Sequence, residues 1–264
     1  MSDERAQPSE ERPTWPRELW LVRHGESAGN VARDKAEAAG LPLIDIQGRD
    51  MDVALSDLGK QQARALGRWF GQLPAERQPT VVLTSPFVRA MQTASIVVEQ
   101  AALNDRRLAH VVDERLREKE FGILNRLTKA GIEQRFPEEA RRRAQDGKFY
   151  YRPPAGESWC DVILRLRSVL DHIQLRYRGE RVLLVAHQVV VLCFRYLLEE
   201  MTEQQLLEVD RARSLANCSV TSYAWTRGAD GREHMALQLD NFVSPLEASG
   251  AQVTSQPDNP DGQR

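Results

Sequence analysis

Short apolar segments alternate with longer segments of helical periodicity along most of this chain. The short segments, rich in β-branched and other apolar residues, lie at residues 18–23, 80–85, 108–113, 181–187, 219–225 and 235–242. The longer segments, in which apolar residues recur every three or four positions, lie at residues 55–73, 86–103, 157–177 and 188–201. Strands that alternate with helices predict an α/β fold, in which a mostly parallel central sheet carries helices on both faces.

Residues that commonly begin or end helices support these boundaries. Ser56 is placed to cap the helix at 55–73, and Pro86 lies in the first turn of the next predicted helix. Gly179 follows the predicted helix at 157–177, where a glycine often terminates a helix. The turn sequence RGADGRE at residues 227–233 separates the last two predicted strands.

The two ends of the chain differ in composition from the part between them. Residues 1–16 are rich in charge and proline, and residues 244–264 offer almost nothing apolar to bury. Sequences of this kind are expected to be disordered. Because α/β chains of this length often fold as one unit, we predict a single domain at residues 17–243.

Charge and composition restrict the partners of this domain. Of the 264 residues, 36 are basic and 38 are acidic, so no overall charge attracts nucleic acid or an anionic membrane. No apolar run approaches the roughly 20 residues that a membrane-spanning helix needs, and the N-terminus lacks a basic segment followed by an apolar one. We therefore expect a cytoplasmic protein without nucleic-acid or membrane partners. The sequence leaves open whether it forms a homodimer.

Cysteine and histidine spacing predicts neither a disulfide framework nor a metal centre. The three cysteines are widely spaced without a CxxC pair, and their apolar neighbours predict buried thiols. No HxH or HExxH motif occurs, and histidines that lie beside arginines repel a divalent cation. We expect an activity that requires no metal ion and no cofactor.

Three predicted strands lead into residues that can hold an anion. The first is followed by Arg23, His24 and Gly25, the second by Arg89 one turn into the next helix, and the fourth ends at His187. Because the carboxyl ends of parallel strands share one edge of a sheet, we expect two imidazoles and two guanidinium groups to meet around one tetrahedral anion. A guanidinium presents a rigid fork of donors that matches phosphate.

Several motifs in this order carry a resemblance to a known family. They read LVRHGES, LSDLGKQQA, TSPFVRAMQTA, LREKEFG, GESWCDV and VAHQ, and they extend over residues 19–242. The chain thereby resembles the histidine phosphatase superfamily, which includes the cofactor-dependent phosphoglycerate mutases. The resemblance implies a phosphoglycerate mutase-like fold of three layers.

The resemblance also implies a role for each site residue. His24 would be the nucleophile that forms a phosphohistidine, and His187 would donate to a nonbridging phosphate oxygen. Arg23 and Arg89 would clamp the phosphoryl group, and Glu118 would protonate the leaving group and later activate water.

Further residues are expected to bind substrate or to support the site. Gly25, Asn30 and Gln188 are expected to join Arg23, Arg89 and His187 in binding substrate. Glu120 is the nearest competitor of Glu118 for the acid role. The sequence Gly156-Glu157-Ser158 matches a family motif, but it equally predicts an ordinary helix start.

The expected activity is hydrolysis of a small phosphorylated metabolite, such as a sugar phosphate. Many superfamily members have glycine after the second histidine, whereas Gln188 here resembles the bisphosphatase domain of the enzymes that control fructose 2,6-bisphosphate. A phosphoglycerate mutase-type phosphotransferase, a protein phosphohistidine or phosphotyrosine phosphatase, and a phosphate-binding sensor without turnover remain alternatives. The long connection at residues 31–54 is expected to shape the mouth of the site.

Overall fold

The structure, a computed structural model, describes residues 13–103, 108–228 and 231–257. One six-stranded sheet lies at the centre of this part of the chain. Its strands are β1 (Glu18–Arg23), β2 (Val81–Thr84), β3 (Ala109–Val112), β4 (Arg181–Ala186), β5 (Val220–Arg227) and β6 (Glu233–Phe242). They lie in the order β3-β2-β4-β1-β5-β6. The first four strands of this order are mutually parallel. Strand β5 is antiparallel to β1, and β6 is antiparallel to β5. The predicted mostly parallel sheet is therefore confirmed.

Helices cover both faces of this sheet, which confirms the predicted three layers. They are α1 (Ala28–Ala38), α2 (Asp57–Gln72), α3 (Val88–Gln100), α4 (Lys129–Arg135), α5 (Pro137–Tyr150), α6 (Trp159–Arg176), α7 (Gln188–Leu198), α8 (Glu203–Ala212) and α9 (Ser244–Ala248). The four predicted helices correspond to α2, α3, α6 and α7. The sequence analysis predicted none of the other five. Within the described residues, no helix has both the length and the apolar character that a membrane crossing requires.

The two faces of the sheet bury alternate residues of the same strands. Leu19 and Leu21 of β1 pack with α6 and α7 on one face, whereas Trp20 and Val22 pack with α2 and α3 on the other. Because side chains alternate along a strand, a sheet covered on both faces needs a continuous apolar run. This requirement explains the run that opens the domain.

The boundaries of the four predicted helices agree with the structure to within three residues. Ser56 caps α2, since its hydroxyl accepts a hydrogen bond from the amide of Gly59. The helix predicted to open at Pro86 begins two residues later, at Val88, and this prediction was wrong. Phe87 stays extended, and its amide donates to the Ser85 hydroxyl (3.3 Å).

The predicted disorder of both chain ends is wrong for the residues that the structure describes there. The amide of Thr14 donates to the Glu233 carboxylate, at 3.1 Å. Residues 244–257 form α9 and an extended segment that is hydrogen-bonded to the domain. A few apolar residues at these ends also reach the core, since Leu246 of α9 is fully buried there and Trp15 packs against it, which overall composition does not reveal. Residues 1–12, residues 258–264 and the centre of the predicted 227–233 turn lie outside the described residues.

Candidate active site

Strand register brings the two candidate histidines together. In the parallel pair β1 and β4, Arg23 lies opposite Ala186, and the His24 amide donates to the Ala186 carbonyl (2.9 Å). His24 and His187 each lie one residue beyond this pair, and their ring centroids are 5.1 Å apart. Both rings are fully buried. The predicted convergence of these two residues is confirmed.

The contacts of the His24 ring distinguish its two nitrogens. Nδ1 lies 2.7 Å from the carbonyl oxygen of Gly25, and Nε2 lies 3.3 Å from Nε of Arg89. A carbonyl can only accept and a guanidinium can only donate. We therefore assign the proton to Nδ1, which leaves the lone pair on Nε2 directed into the site.

His187 is held from the end of the neighbouring strand. Ser85 follows β2, and its amide donates to the Val185 carbonyl of β4 at 3.0 Å. Its hydroxyl lies 2.7 Å from Nε2 of His187. The Phe87 ring lies edge-on to His187 with centroids 5.0 Å apart. Ser85 thus fixes an imidazole that the sequence analysis identified, although no role was predicted for the serine itself.

Arg89 reaches the site from the first turn of α3. Its buried guanidinium contacts His24 and engages Asp50 through both Nη atoms. Nη1 also donates to the Asp50 carbonyl (2.8 Å), and Nη2 lies 3.1 Å from the Asp50 carboxylate. Asp50 belongs to the 31–54 connection, so this segment does reach the mouth of the site as expected. A carboxylate held by both Nη atoms shows that this fork can hold an oxyanion.

Arg23 is fully buried and is oriented by main-chain carbonyls. Nη1 donates to Leu215 O at 2.5 Å, and Nη2 donates to Gln256 O. The same Gln256 carbonyl accepts from Nδ2 of Asn30 at 3.3 Å. The C-terminal segment, residues 251–257, therefore reaches the candidate anion site itself.

Thr254 anchors the C-terminal segment beside the loop that follows β1. Its carbonyl accepts from the Asn217 amide (2.8 Å), and its hydroxyl donates to the Asn217 side chain (3.0 Å). Gln62 of α2 donates to the same hydroxyl (2.9 Å). Asn217 in turn donates to the carbonyl of His24 at 3.1 Å. Sequence analysis missed this network, because isolated polar residues leave no periodic signal.

The two candidate acids occupy different environments. Glu118 is 4% exposed and lines the same cleft as Asn30 and Arg89. Its Oε1 accepts from the amide of the next residue (2.8 Å). Glu120 is exposed, and its carboxylate accepts from the amides of Phe121 and Gly122, each at 3.1 Å. The geometry favours Glu118, which is the choice made from the sequence.

Gly25 and Gln188, two of the predicted substrate-binding residues, differ in their surroundings from the others. The amide of Gly25 donates to the Thr93 hydroxyl (3.0 Å), so the expectation that it faces a ligand is wrong. A Cβ on Gly25 would lie 2.6 Å from the carbonyl oxygen of Gly59, and the glycine allows this close approach to α2. Gln188 is buried at the first position of α7, and its role in binding stays a prediction.

A cleft opens beside Asn30, Arg89 and Glu118. Four cationic side chains and two carboxylates line it, namely those of Arg33, Arg89, Lys119, Arg126, Asp50 and Glu118. One of the two carboxylates, Asp50, is paired with Arg89. The balance of charge in the cleft therefore favours an anionic ligand.

Other reactive groups are less suited to catalysis. Among the described residues, no three His, Cys, Asp or Glu side chains lie close enough together to hold a metal ion. Cys193 and Cys218 are buried, and burial raises the pKa of both thiols. Burial also raises the pKa of the partly buried Cys160 thiol. Thiolates are the nucleophilic form of cysteine, so none of the three is a good candidate nucleophile.

Comparisons with known proteins agree with this geometry. A model of the histidine phosphatase superfamily (branch 1) matches residues 19–236. The chain is 32% identical over 190 residues to 6-phosphofructo-2-kinase/fructose-2,6-bisphosphatase 3 of Rattus norvegicus, a match covering 72% of this chain and 29% of that protein. It is also 32% identical to the fructose-2,6-bisphosphatase of Saccharomyces cerevisiae, covering 67% of this chain and 33% of that protein. The chain thus spans only about a third of these relatives' length.

Solved structures show the same likeness. The mycobacterial glucosyl-3-phosphoglycerate phosphatase in its complex with VO3 superposes with a TM-score of 0.64 and 26% identity, over 86% of this chain and 99% of that one. YhfR of Bacillus stearothermophilus gives a TM-score of 0.65 and 28% identity, over 85% of this chain and 98% of that one. The family and the names of these relatives identify a phosphatase-type enzyme.

Proposed function

The chain belongs to branch 1 of the histidine phosphatase superfamily, and from that premise we propose that it hydrolyses phosphomonoesters of small metabolites through a phosphohistidine on His24, without a metal ion. The orientation of His24 carries this proposal. Its Nδ1 is directed at a fixed acceptor, the Gly25 carbonyl, while Nε2 faces Arg89. This is the arrangement that a neutral imidazole needs in order to act as a nucleophile.

In the first step, Nε2 of His24 attacks phosphorus and the bond from phosphorus to the ester oxygen breaks. Arg89 and His187 contact His24 and Arg23 directly precedes it; the three side chains stabilise the charge on the three equatorial oxygens. Glu118 delivers its proton to the departing alkoxide, which leaves as the alcohol. The Gly25 carbonyl stabilises the positive charge that develops on the phosphorylated imidazole.

In the second step, water attacks the phosphohistidine. The Glu118 carboxylate, now ionised, takes a proton from this water while the phosphorus–nitrogen bond breaks. Inorganic phosphate leaves, and His24 and protonated Glu118 are regenerated. A single carboxylate serves both steps because both transfers occur on the side of phosphorus opposite His24.

The access to the site supports a small substrate. His24 and His187 are fully buried, and the cleft lined by Arg89, which contacts His24, is bordered by the 31–54 connection. A phosphorylated side chain on a folded protein surface could not reach such rings, whereas a sugar phosphate or similar metabolite could. Two relatives are named for fructose 2,6-bisphosphate and glucosyl-3-phosphoglycerate, both of which are small phosphorylated metabolites.

The test is phosphate release from a panel of phosphorylated metabolites and from p-nitrophenyl phosphate, with His24→Ala as the inactive reference. We expect turnover by the wild-type protein and none by the variant. Equal turnover by both would overturn the nucleophile. Incubation with 3-phosphoglycerate and a trace of 2,3-bisphosphoglycerate distinguishes hydrolysis from mutase action, because a mutase yields isomerised product instead of free phosphate.

Metal independence has a separate test. Arginines and histidines supply all the charge that the proposed reaction needs at phosphorus. Phosphate release should therefore be the same with and without EDTA. Activity that disappears in EDTA and returns with a divalent ion would show that the mechanism is incomplete.

A further inference from the structure

The proposed acid lies on an irregular segment of main chain. Residues 117–121 connect two single 3₁₀ turns, Glu114–Leu116 and Gly122–Leu124. A segment of this kind has no regular ladder of main-chain hydrogen bonds. The direction of the Glu118 side chain therefore depends on individual contacts, such as the hydrogen bond from the Lys119 amide to its Oε1 (2.8 Å), and on whatever holds the main chain of the segment.

A part-buried ion pair packs against this segment. Glu157 directly precedes Ser158, the N-cap of α6, and Arg165 lies two turns into that helix. Nε and Nη2 of Arg165 donate to the two carboxylate oxygens of Glu157, at 3.0 and 3.1 Å. Their side chains are only 10% and 13% exposed. A two-point contact of this kind fixes both side chains in one geometry.

The pair holds the main chain on both sides of Glu118. Arg165 donates to the carbonyls of Arg115 and of Glu118 itself, the latter at 3.4 Å. The Glu157 carboxylate accepts from the Glu120 amide (3.0 Å), and the Glu157 amide donates to the Glu120 carbonyl (2.9 Å). The contacts therefore begin three residues before the acid and end two residues after it.

A third charge completes the attachment. The guanidinium of Arg117 donates to the Glu157 carboxylate at 2.7 Å. Glu157 thus accepts hydrogen bonds from Arg117, which precedes Glu118, and from Glu120, which lies two residues after it. It also accepts hydrogen bonds from Arg165. Each of these contacts draws the segment toward α6 and leaves the Glu118 side chain on the cleft side.

We propose that the Glu157–Arg165 ion pair is a positioning device that aims the Glu118 carboxyl at the leaving-group oxygen. The inference rests on the proposed function, in which Glu118 is the proton donor. Loss of the pair lets the segment shift and moves the carboxyl out of line. The resulting decrease in kcat/KM is largest for substrates whose leaving group must be protonated, because a good leaving group departs without a proton.

The experiment compares two substrates with each variant. Kinetics are measured as kcat/KM, which reports phosphoryl transfer to His24, with p-nitrophenyl phosphate and with glycerol 2-phosphate. Glu157→Gln should lower kcat/KM for the alkyl ester by at least about tenfold and for the aryl ester by less than about threefold. Arg165→Lys keeps the charge but loses the two-point contact, so it should show the same pattern more weakly.

Glu139→Gln is the matched control. The Glu139 side chain is 11% exposed and pairs with Arg142 and Tyr151 rather than with residues 117–121. This variant loses a carboxylate of similar burial, so it should change both substrates equally. A Glu157→Gln variant that loses both activities in parallel would show a structural role alone and would overturn the proposal. If that variant does not fold, the substrate ratio of Arg165→Lys decides instead.

Two comparisons separate this inference from the proposed function. If Glu118→Gln does not discriminate between the two substrates, the acid assignment is wrong and the positioning role fails with it. If Glu118→Gln discriminates and Glu157→Gln does not, only the positioning role fails. The double variant should have the substrate ratio of Glu118→Gln alone, since a residue that acts through Glu118 has no effect once that carboxyl is absent. An additive ratio would contradict the inference.

Discussion

Replacing Arg89 with lysine tests the phosphate clamp while keeping its charge. The Arg89 side chain is 3% exposed, and it uses separate nitrogens for His24 Nε2 and for the two carboxylate oxygens of Asp50. A lysine carries one ammonium group at the end of a flexible stem and cannot make these contacts together. The variant therefore removes geometry without removing charge.

The expected loss can be worked out from these contacts. The lysine loses two hydrogen bonds of the charged guanidinium, one to the phosphoryl oxygens and one that orients His24, and each contributes about 1.5–3 kcal/mol. The sum, about 3–6 kcal/mol, corresponds to a decrease in kcat/KM of about 10²- to 10⁴-fold. The fold should survive, because the lysine stem fills much of the same space.

The assay is steady-state hydrolysis of p-nitrophenyl phosphate together with a thermal melt. Arg64→Lys is the matched control, since Arg64 lies on α2 with its side chain exposed, and it should leave kcat/KM unchanged. An Arg89→Lys variant whose kcat/KM stays within about twofold of wild type would refute the reasoning. A large loss accompanied by an unchanged melting temperature would support it.

Three further predictions concern stability, pH and the C-terminal segment. Gly59→Ala should destabilise the protein by at least about 1–3 kcal/mol, because the new Cβ would lie 1.9 Å from the carbonyl oxygen of Glu26. Gly29→Ala, on α1, should be neutral or stabilising, because the nearest contacts of its Cβ would be at 3.4 and 3.5 Å. Equal denaturation midpoints for the two variants would contradict this prediction. Burial acts to raise the pKa of Glu157, but its hydrogen bonds and the charge of Arg165 hold that pKa below its usual value. The ionised carboxylate therefore stabilises the fold above about pH 4.3, the usual pKa of glutamate. This contribution is lost as the pH falls through the lower pKa of the folded state. Glu157→Gln should therefore lower the free energy of unfolding by about 1.5–3 kcal/mol at neutral pH, with a smaller difference in urea titrations near about pH 3.5; a difference that does not depend on pH would be inconsistent with the shift. Deleting residues 252–264 should lower kcat/KM for p-nitrophenyl phosphate by about tenfold, because it removes the hydrogen bond by which the Gln256 carbonyl orients Arg23. A truncated enzyme with a higher kcat/KM would instead mean that this segment obstructs the site.

The sequence predicted the central part of the site because strand ends follow from the apolar pattern and parallel strands end at one edge of a sheet. Once β1 and β4 are parallel neighbours, His24 and His187 must emerge side by side. Arg89 follows from the same reasoning, since it lies in the first turn after a third strand of that sheet. The identity of these residues could therefore be proposed without coordinates.

The parts of the site that could not be predicted depend on isolated polar contacts. Asp50 pairs with Arg89 from an irregular connection, and the C-terminal segment is attached through Thr254 and through the carbonyl of Gln256. A main-chain carbonyl has no sequence signature, because every residue has one. The position of a single threonine in a polar tail is equally uninformative until its partner, Asn217, is known.

The central claim, that phosphate passes through His24, is tested most directly by trapping the phosphoenzyme. The enzyme is mixed with a rapidly hydrolysed phosphomonoester, quenched in denaturant at alkaline pH and analysed by peptide mass spectrometry. The account predicts one acid-labile phosphoryl group on the peptide that contains His24, and none in His24→Ala. Wild-type enzyme that turns over substrate with phosphate on another residue, or with no phosphoenzyme at any quench time, would contradict it.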